Sequence, residues 1–372
     1  MAESRAIDWR SSAVSEGTIT VDMVSPNNPD QVYGQLDGII RSGSSISAVY
    51  YGDNRTSGSL KFAGDGWVLG SFLRISYTSK AAGGKRTIGT YVATENPATR
   101  KNGQWITTLT LQSAGLYTLS KDNNPFAWTV NAGASIRRAM HDILDSAHRP
   151  YVDIAESNPI TSSTIVLERG NTTQSWLYSL ADMANLRLDC DQNGRTLIQD
   201  YVAPRKKTAS MTLDITDPRG VIIDSGIKRT TDYLSYPGES AVVFRYTTSE
   251  KDSSGKMKSV EHFIVGVATA NGNAAPDVRG YTVTDYHNVS ELNPQTPRRA
   301  QELATQYLAE NSVETVEWNL STSYLPLWEG DIVDLIIPDG VNGYSGKRHC
   351  LVKSVDIDLE TMQLDLVLKE TG

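Results

Sequence analysis

The chain has 372 residues, of which 39% are hydrophobic and 21% charged, so it is long enough for two or three domains and too apolar for intrinsic disorder. Its 35 basic and 43 acidic residues leave a net charge of −8, which supplies no long-range field to draw the protein onto nucleic acid or anionic lipid. No apolar run approaches the ~18 residues of a membrane span and the N-terminus carries no secretory apolar region, so a cytosolic product with no membrane partner is expected.

From Thr18 to about Lys121 the text alternates strand and turn. Thr18–Val24, Ser59–Phe62, Phe72–Tyr77, Ile88–Ala93 and Trp105–Leu111 are rich in threonine, valine, isoleucine and aromatics, with Gly, Asn, Asp and Pro between them, which predicts a first β-domain over 1–125. The stretch from Ser25 to Arg55 alternates weakly and reads equally as strand or extended loop. The period then changes. Ile136, Ala139, Met140, Ile143, Leu144 and Ala147 recur at helical spacing behind Ser135, a capping residue, and Pro150 marks the stop. A second amphipathic helix is predicted from Thr173 to Asn185, with Trp176, Leu177, Leu180, Ala181 and Ala184 on one stripe. It runs into a hairpin that pairs Leu186–Cys190 with Thr196–Tyr201 around Asn193-Gly194. Residues 126–215 are therefore expected to form a mixed α/β domain.

Alternation returns at Ser225–Arg229, Ala241–Tyr246 and Val260–Val265, the last two joined by a polar tip from Glu250 to Lys258. A β-ribbon is predicted there, followed by an Asn/Gly/Ala-rich loop, Ala268–Pro276. A helix begins after Pro297 and carries Ala300, Leu303, Ala304, Tyr307 and Leu308. At the C-terminus Leu325–Leu335, Leu351–Leu359 and Met362–Leu368 alternate apolar with polar residues, with turns expected at Pro338-Asp339-Gly340 and Gly343–Gly346. Residues 216–372 thus read as ribbon, helix and a closed β-module. The predicted class is α+β, mostly β: two similar β-barrels around an inserted α/β segment.

Candidate chemistry is sparse. Asp189–Asp200 places oxygen ligands at loop positions one, three and five, glycine at six and a carboxylate at twelve, nearly a calcium-loop spacing. Position twelve is aspartate where glutamate is expected, and the alternation on both sides of Asn193-Gly194 favours a hairpin. His141 and His148, with Asp142 and Asp145 nearby, lie too far apart on one helix for ordinary chelation. His262, His287 and His349 stand alone. Ser253 and Lys256 have the spacing of a Ser-Lys pair but fall in a predicted exposed turn. Asn171-Thr172-Thr173 and Asn288-Val289-Ser290 fit a glycosylation pattern that matters only on secretion. Cys190 and Cys350, distant in sequence and without metal-ligand spacing, read as reduced packing residues. The sequence therefore assigns no catalytic, cofactor or metal residue.

The order of these elements resembles the baseplate hub proteins of bacteriophage tails, the family that includes the structural part of tail-associated lysins. The resemblance is carried by Ile88-Gly89-Thr90-Tyr91-Val92 followed by Trp105–Tyr117, by the helix entering Leu186–Gly194, and by Leu325-Pro326-Leu327-Trp328-Glu329-Gly330-Asp331 with its two following strands. It implies a homotrimer in which each copy contributes two similar barrels, imitating the sixfold symmetry of a tail tube. The same resemblance implies a virion protein of the tail tip, assembled in the host cytoplasm, with tube or distal ring proteins on one side and spike or fibre proteins on the other. DNA would pass through it without specific binding. Lysin-type hubs carry a C-terminal hydrolase or fibre extension, and this sequence stops at Gly372. A structural virion protein without enzymatic activity is the expectation. The competing readings are a tail-associated cell-wall hydrolase and another β-rich ring or receptor-binding tail component.

Overall fold

The computed structural model describes residues 17–371 apart from 51–54, 66–71, 80–83, 162–163, 218–220, 233–235, 252–255, 289–295, 312–314 and 342–343. The N-terminal part is a run of strands: β1 (Thr18–Val24), β2 (Val32–Gln35), β3 (Ile39–Val49), β4 (Thr56–Ala63), β5 (Phe72–Ser79), β6 (Gly84–Glu95), β7 (Ala98–Lys101) and β8 (Gln104–Ser113). Period-two patterning sets their faces. In β8, for example, Leu109 and Leu111 are buried while Thr108 and Thr110 are half-exposed.

A helical insert follows. It contains α1 (Ala114–Lys121), β9 (Trp128–Val130), α2 (Ile136–Ser146), β10 (Tyr151–Asp153), β11 (Ile165–Leu167), α3 (Thr173–Ala184), β12 (Leu186–Cys190) and β13 (Thr196–Asp200). Ser135 Oγ accepts from Arg138 N at 3.2 Å and Thr172 Oγ1 from Ser175 N at 3.1 Å, so both predicted helices start on side-chain caps. Asn185, at φ +53°, ends α3. Met140, Leu144, Trp176, Leu177, Leu180, Leu188 and Ile198 form the insert's own core.

The remainder comprises β14 (Met211–Asp214), β15 (Ile222–Asp232), β16 (Glu239–Lys251), β17 (Met257–Thr269), the short helix α4 (Pro276–Arg279), β18 (Thr284–Asn288), α5 (Pro297–Asn311), β19 (Thr315–Ser323), β20 (Ile332–Val341), β21 (Tyr344–Asp358) and β22 (Gln363–Glu370). The sheet β17-β16-β18 lays Val242 and Phe244 against Ala300, Leu303 and Ala304 of α5, a third core. The approach is close: a Cβ on Gly266 would lie 2.2 Å from the Ala300 backbone.

The mostly-β, α+β class is as the sequence predicts, but the sheet closes differently. The expected pair of closed barrels is replaced, among the described residues, by one continuous sheet in the order β15-β19-β22-β21-β3-β4-β8-β6-β5-β1-β2, with β20, β14 and β7 attached to its flanks. The cause is the length of β21. Gly346–Leu351 on one of its edges pair with β20, while Ser354–Asp358 farther along pair with Val49–Ser45 of β3. The N- and C-terminal strands consequently share one core that includes Ile46, Leu60, Phe62, Leu109, Trp318, Val355, Ile357, Leu364 and Leu366.

Three further sequence expectations need correction. The strand text does not run on to Lys121: Leu116 and Leu119 are buried on α1, an eight-residue helix of about two turns, too short to display a helical period in the sequence. Leu325 and Leu327 are buried at 2% exposure without joining a ladder, because Asp331 Oδ2 accepts from Trp328 N at 2.7 Å and curls the chain ahead of β20. Pro338–Gly340 are not a turn between strands but part of an irregular stretch of β20 between Ile337 and Val341, after which Val341 pairs with Tyr344 of β21.

Candidate functional site

Two hydrogen-bonded rows cross the shared sheet on its outer face. One runs Ser321–Asp365–Asp356–Ser47–Ser57–Gln112 and the next Ser323–Gln363–Asp358–Ser45–Ser59–Thr110. They span six strands drawn from both ends of the chain. No lysine or arginine lies in either row, and the three carboxylates Asp356, Asp358 and Asp365 are exposed. The row on the opposite face, Leu364–Ile357–Ile46–Gly58–Leu111, belongs to the core, and a Cβ on Gly58 would lie 2.6 Å from Ile46 Cδ1. Along these two rows the outer surface is therefore made of small polar and acidic side chains above a buried apolar layer.

Arg41 ties the seam together. It donates from Nε to Leu359 O at 2.5 Å, from Nη1 to Gly17 O at 2.9 Å and from Nη2 to Glu360 O at 2.8 Å. Asp358 Oδ1 shapes the adjoining β21–β22 turn by accepting from Glu360 N and Thr361 N at 2.7 and 3.0 Å.

Behind the sheet lies a buried charged junction with the insert. The Arg187 guanidinium pairs with Asp189 Oδ2 at 3.0 and 2.7 Å and stacks 4.0 Å from the centroid of the Tyr50 ring. Gly330, at φ +86°, lets the backbone pass beneath: a Cβ there would sit 2.8 Å from the Tyr50 ring and 3.2 Å from Arg187 Nη2. Lys207 Nζ donates to Gly330 O at 3.4 Å. Glu329 is 6% exposed, and its Oε2 has no hydrogen-bond partner among the described residues. Burial, reinforced by the Asp189 carboxylate, pushes Glu329 well above the usual carboxylate range. Burial likewise raises Asp331 and lowers Lys207. The sequence gives one hint of this junction, a charged pair flanking a glycine in Trp328-Glu329-Gly330-Asp331, but Arg187 and Tyr50 come from remote segments.

The residues weighed from sequence scatter over separate protein contacts. In the Asp189–Asp200 segment, Asp189 holds Arg187, Asp191 accepts from Asn193 N, Arg195 N and Arg195 Nε, and Asp200 accepts from Glu156 N at 2.7 Å. The segment is the β12–β13 hairpin, docked on β6 through Thr90 Oγ1 donating to Gln192 O at 2.9 Å. His141 pairs with Asp153 at 2.7 Å and stacks on Tyr151, Asp142 pairs with Arg138, and His148 adopts φ +52° beyond α2. His287 pairs with Asp285 and stacks on Tyr307, and His349 bridges Asp334 and Lys207 O. His262 lies on β17. Among the described residues no three His, Cys, Asp or Glu side chains converge as a metal site. Ser253 and Val289-Ser290 lie outside the described residues. Cys190 and Cys350 are free thiols that burial pushes up to about 12.

No protein-family model matches the chain, and no curated protein matches it. Solved structures do. The tail protein from Neisseria meningitidis superposes with a TM-score of 0.65 at 16% identity, covering 96% of this chain and 97% of its own. This chain has a tail-protein fold. The 43 kDa tail protein of a Shewanella oneidensis prophage aligns with a TM-score of 0.61 at 13% identity over 95% and 98% of the two chains, and the prophage tail protein gp18 of Listeria monocytogenes with 0.54 at 12% over 94% of each. The likeness extends over nearly the whole length of both partners, so it covers the shared sheet, the insert and the ribbon together.

Proposed function

We propose that the chain is a structural virion protein of the tail tip, a hub whose three copies join a hexameric tail tube to the tip and leave an axial conduit for DNA. The observation that carries this reading is the two-row polar face across the sheet. Carboxylates at Asp356, Asp358 and Asp365 repel phosphate, and serines and threonines between them offer no cation to hold it, so a passing polyanion slides. The shared sheet supplies such a wall from both ends of the chain. In this reading 1–125 and 216–372 provide two ring positions per copy, 126–215 is an outer domain, and closure is head-to-tail. The partners are tube or distal ring proteins and spike or fibre proteins, and the chain has no active site. The tail-protein fold agrees with this role.

Single-particle imaging of the purified full-length protein tests it. The expected particle is a trimer with a central opening lined by Asp356, Asp358 and Asp365. A monomer at all concentrations, or a ring whose opening is lined by other surfaces, would refute it.

A further inference from the structure

We propose that the outer face of the β17-β16-β18 sheet docks on the insert of a neighbouring copy of this chain. The inference rests on the ring reading above and specifies which surfaces meet. One face of this sheet is closed by α5, as the packing of Val242 and Phe244 shows. On the other, register places Val267–Ala241–Tyr286 in one row and Val265–Val243–Asn288 in the next. Val265 is 52%, Val267 42% and Tyr286 59% exposed, beside buried Ala241 and Val243. None of these six side chains is charged.

A face of this kind, roughly a few hundred Å², has the size at which apolar patches on monomers mark interaction sites. It falls short of the ~800 Å² per partner of a stable contact, so it would serve as the apolar centre of a wider one. The occupant follows from where the rest of the exposed apolar surface lies. A second group occurs on the insert, with Phe126 at 80%, Ile160 at 61%, Ile154 at 58% and Val166 at 57% exposure, while Val278 and Tyr281 lie on and just after α4, beside the ribbon in sequence. The large apolar residues exposed on the main sheet, Val32, Tyr33, Val49 and Trp105, are spread over β2, β3 and β8, and β19–β22 expose none among the described residues. A cyclic ring requires two unlike patches of the same chain to meet head-to-tail. The ribbon face, with its six uncharged positions, and the insert, with its own exposed apolar side chains, supply two unlike surfaces for such a contact.

The test uses the full-length chain in size-exclusion chromatography with light scattering. The double variant V265D/V267D should raise the concentration for trimer formation at least tenfold, with the far-UV spectrum, and the Tm measured at a dilution where both proteins are monomeric, unchanged because both positions face solvent in the monomer. A second arm mixes singly substituted V265C and V166C proteins with a short bis-maleimide, using the wild type as control for Cys190. Cross-links between the two variants are expected. A trimeric V265D/V267D protein, or cross-links joining only V265C to V265C, would overturn the contact while leaving the ring intact. A monomeric wild type would overturn the ring and this contact with it.

Discussion

Asp356 and Asp365 stand directly opposite each other across the β21–β22 pair, both on the exposed side of the sheet. Like charges in that position destabilise a sheet by about 0.2–1 kcal/mol, an expense that folding alone does not explain. Asp365 is partly compensated because it accepts from Ser321 Oγ at 2.5 Å. Asp356→Asn is therefore expected to stabilise the protein by a few tenths up to ~1 kcal/mol, and the gain should shrink with added salt as screening weakens the repulsion. Urea unfolding at low and high ionic strength measures both. A variant less stable than the wild type at low salt would mean that the pair is held by contacts other than these.

Glu329, whose Oε2 has no hydrogen-bond partner among the described residues, sets a second expectation. Its pKa is raised on folding, so the folded state favours the neutral acid, and the stabilisation is complete below the ordinary glutamate range and lost as pH rises through the raised value. Glu329→Gln keeps the shape and removes the ionisation. The variant should equal or exceed the wild type in Tm at pH 8 and fall below it or match it at pH 4, so the Tm difference between them should grow steadily with pH. Taking the difference isolates Glu329 from Asp331, which shifts the same way, and from Asp334, which Lys347 and His349 hold low.

Next to it, Gly330→Ala would place a methyl group against the Tyr50 ring at a backbone angle that L-residues avoid. A loss of about 1–3 kcal/mol is expected. Arg187→Ala should cost more, about 3–5 kcal/mol, because it strands Asp189 in a buried site and removes the stack on Tyr50. Arg187→Lys should recover only part of that, since an ammonium cannot form the two-pronged contact or lie flat on the ring. Chemical denaturation of the three variants ranks them. Full recovery by lysine would reduce the site to a point charge.

Much of the fold is legible in the sequence where one local rule decides it. Leu364, Leu366 and Leu368 alternate with Gln363, Asp365 and Val367 and form β22 as read, and Ser135 and Thr172 start their helices as capping residues do. The failures occur where partners are chosen at long range. Nothing in Ser354–Asp358 names Ser45–Val49 as its neighbour, so two barrels were the natural expectation and one sheet is the outcome. Leu325-Pro326-Leu327-Trp328 shows the same alternation as a strand, yet its apolar residues are buried by a curled loop. The polar face is not legible in the sequence for the same reason: its serines and aspartates are ordinary in each strand and form a surface only when six strands are set in register.

Ile357 and Ile46 are cross-strand partners at the seam between β21 and β3, with exposures of 1% and 0%. If the N- and C-terminal strands form one cooperative core, damage at this seam must be felt by both. Ile357→Ala removes buried methyl groups where neighbours on both sides are fixed by ladder bonds, so about 2–5 kcal/mol should be lost. Calorimetry should show one transition for the sheet in wild type and variant alike, lowered in the variant. Hydrogen exchange should report lost protection on β4 and β8 as well as on β22, although no residue of β4 or β8 has been altered. Lost protection confined to β21 and β22 would show that the two ends melt independently, and the continuous polar face would then be an accident of adjacency rather than a single wall. Arg41→Ala supplies the matching control, since it cuts three charged hydrogen bonds, two of them across the same seam to Leu359 O and Glu360 O, without emptying a core position, at an expected cost of about 1.5–3 kcal/mol.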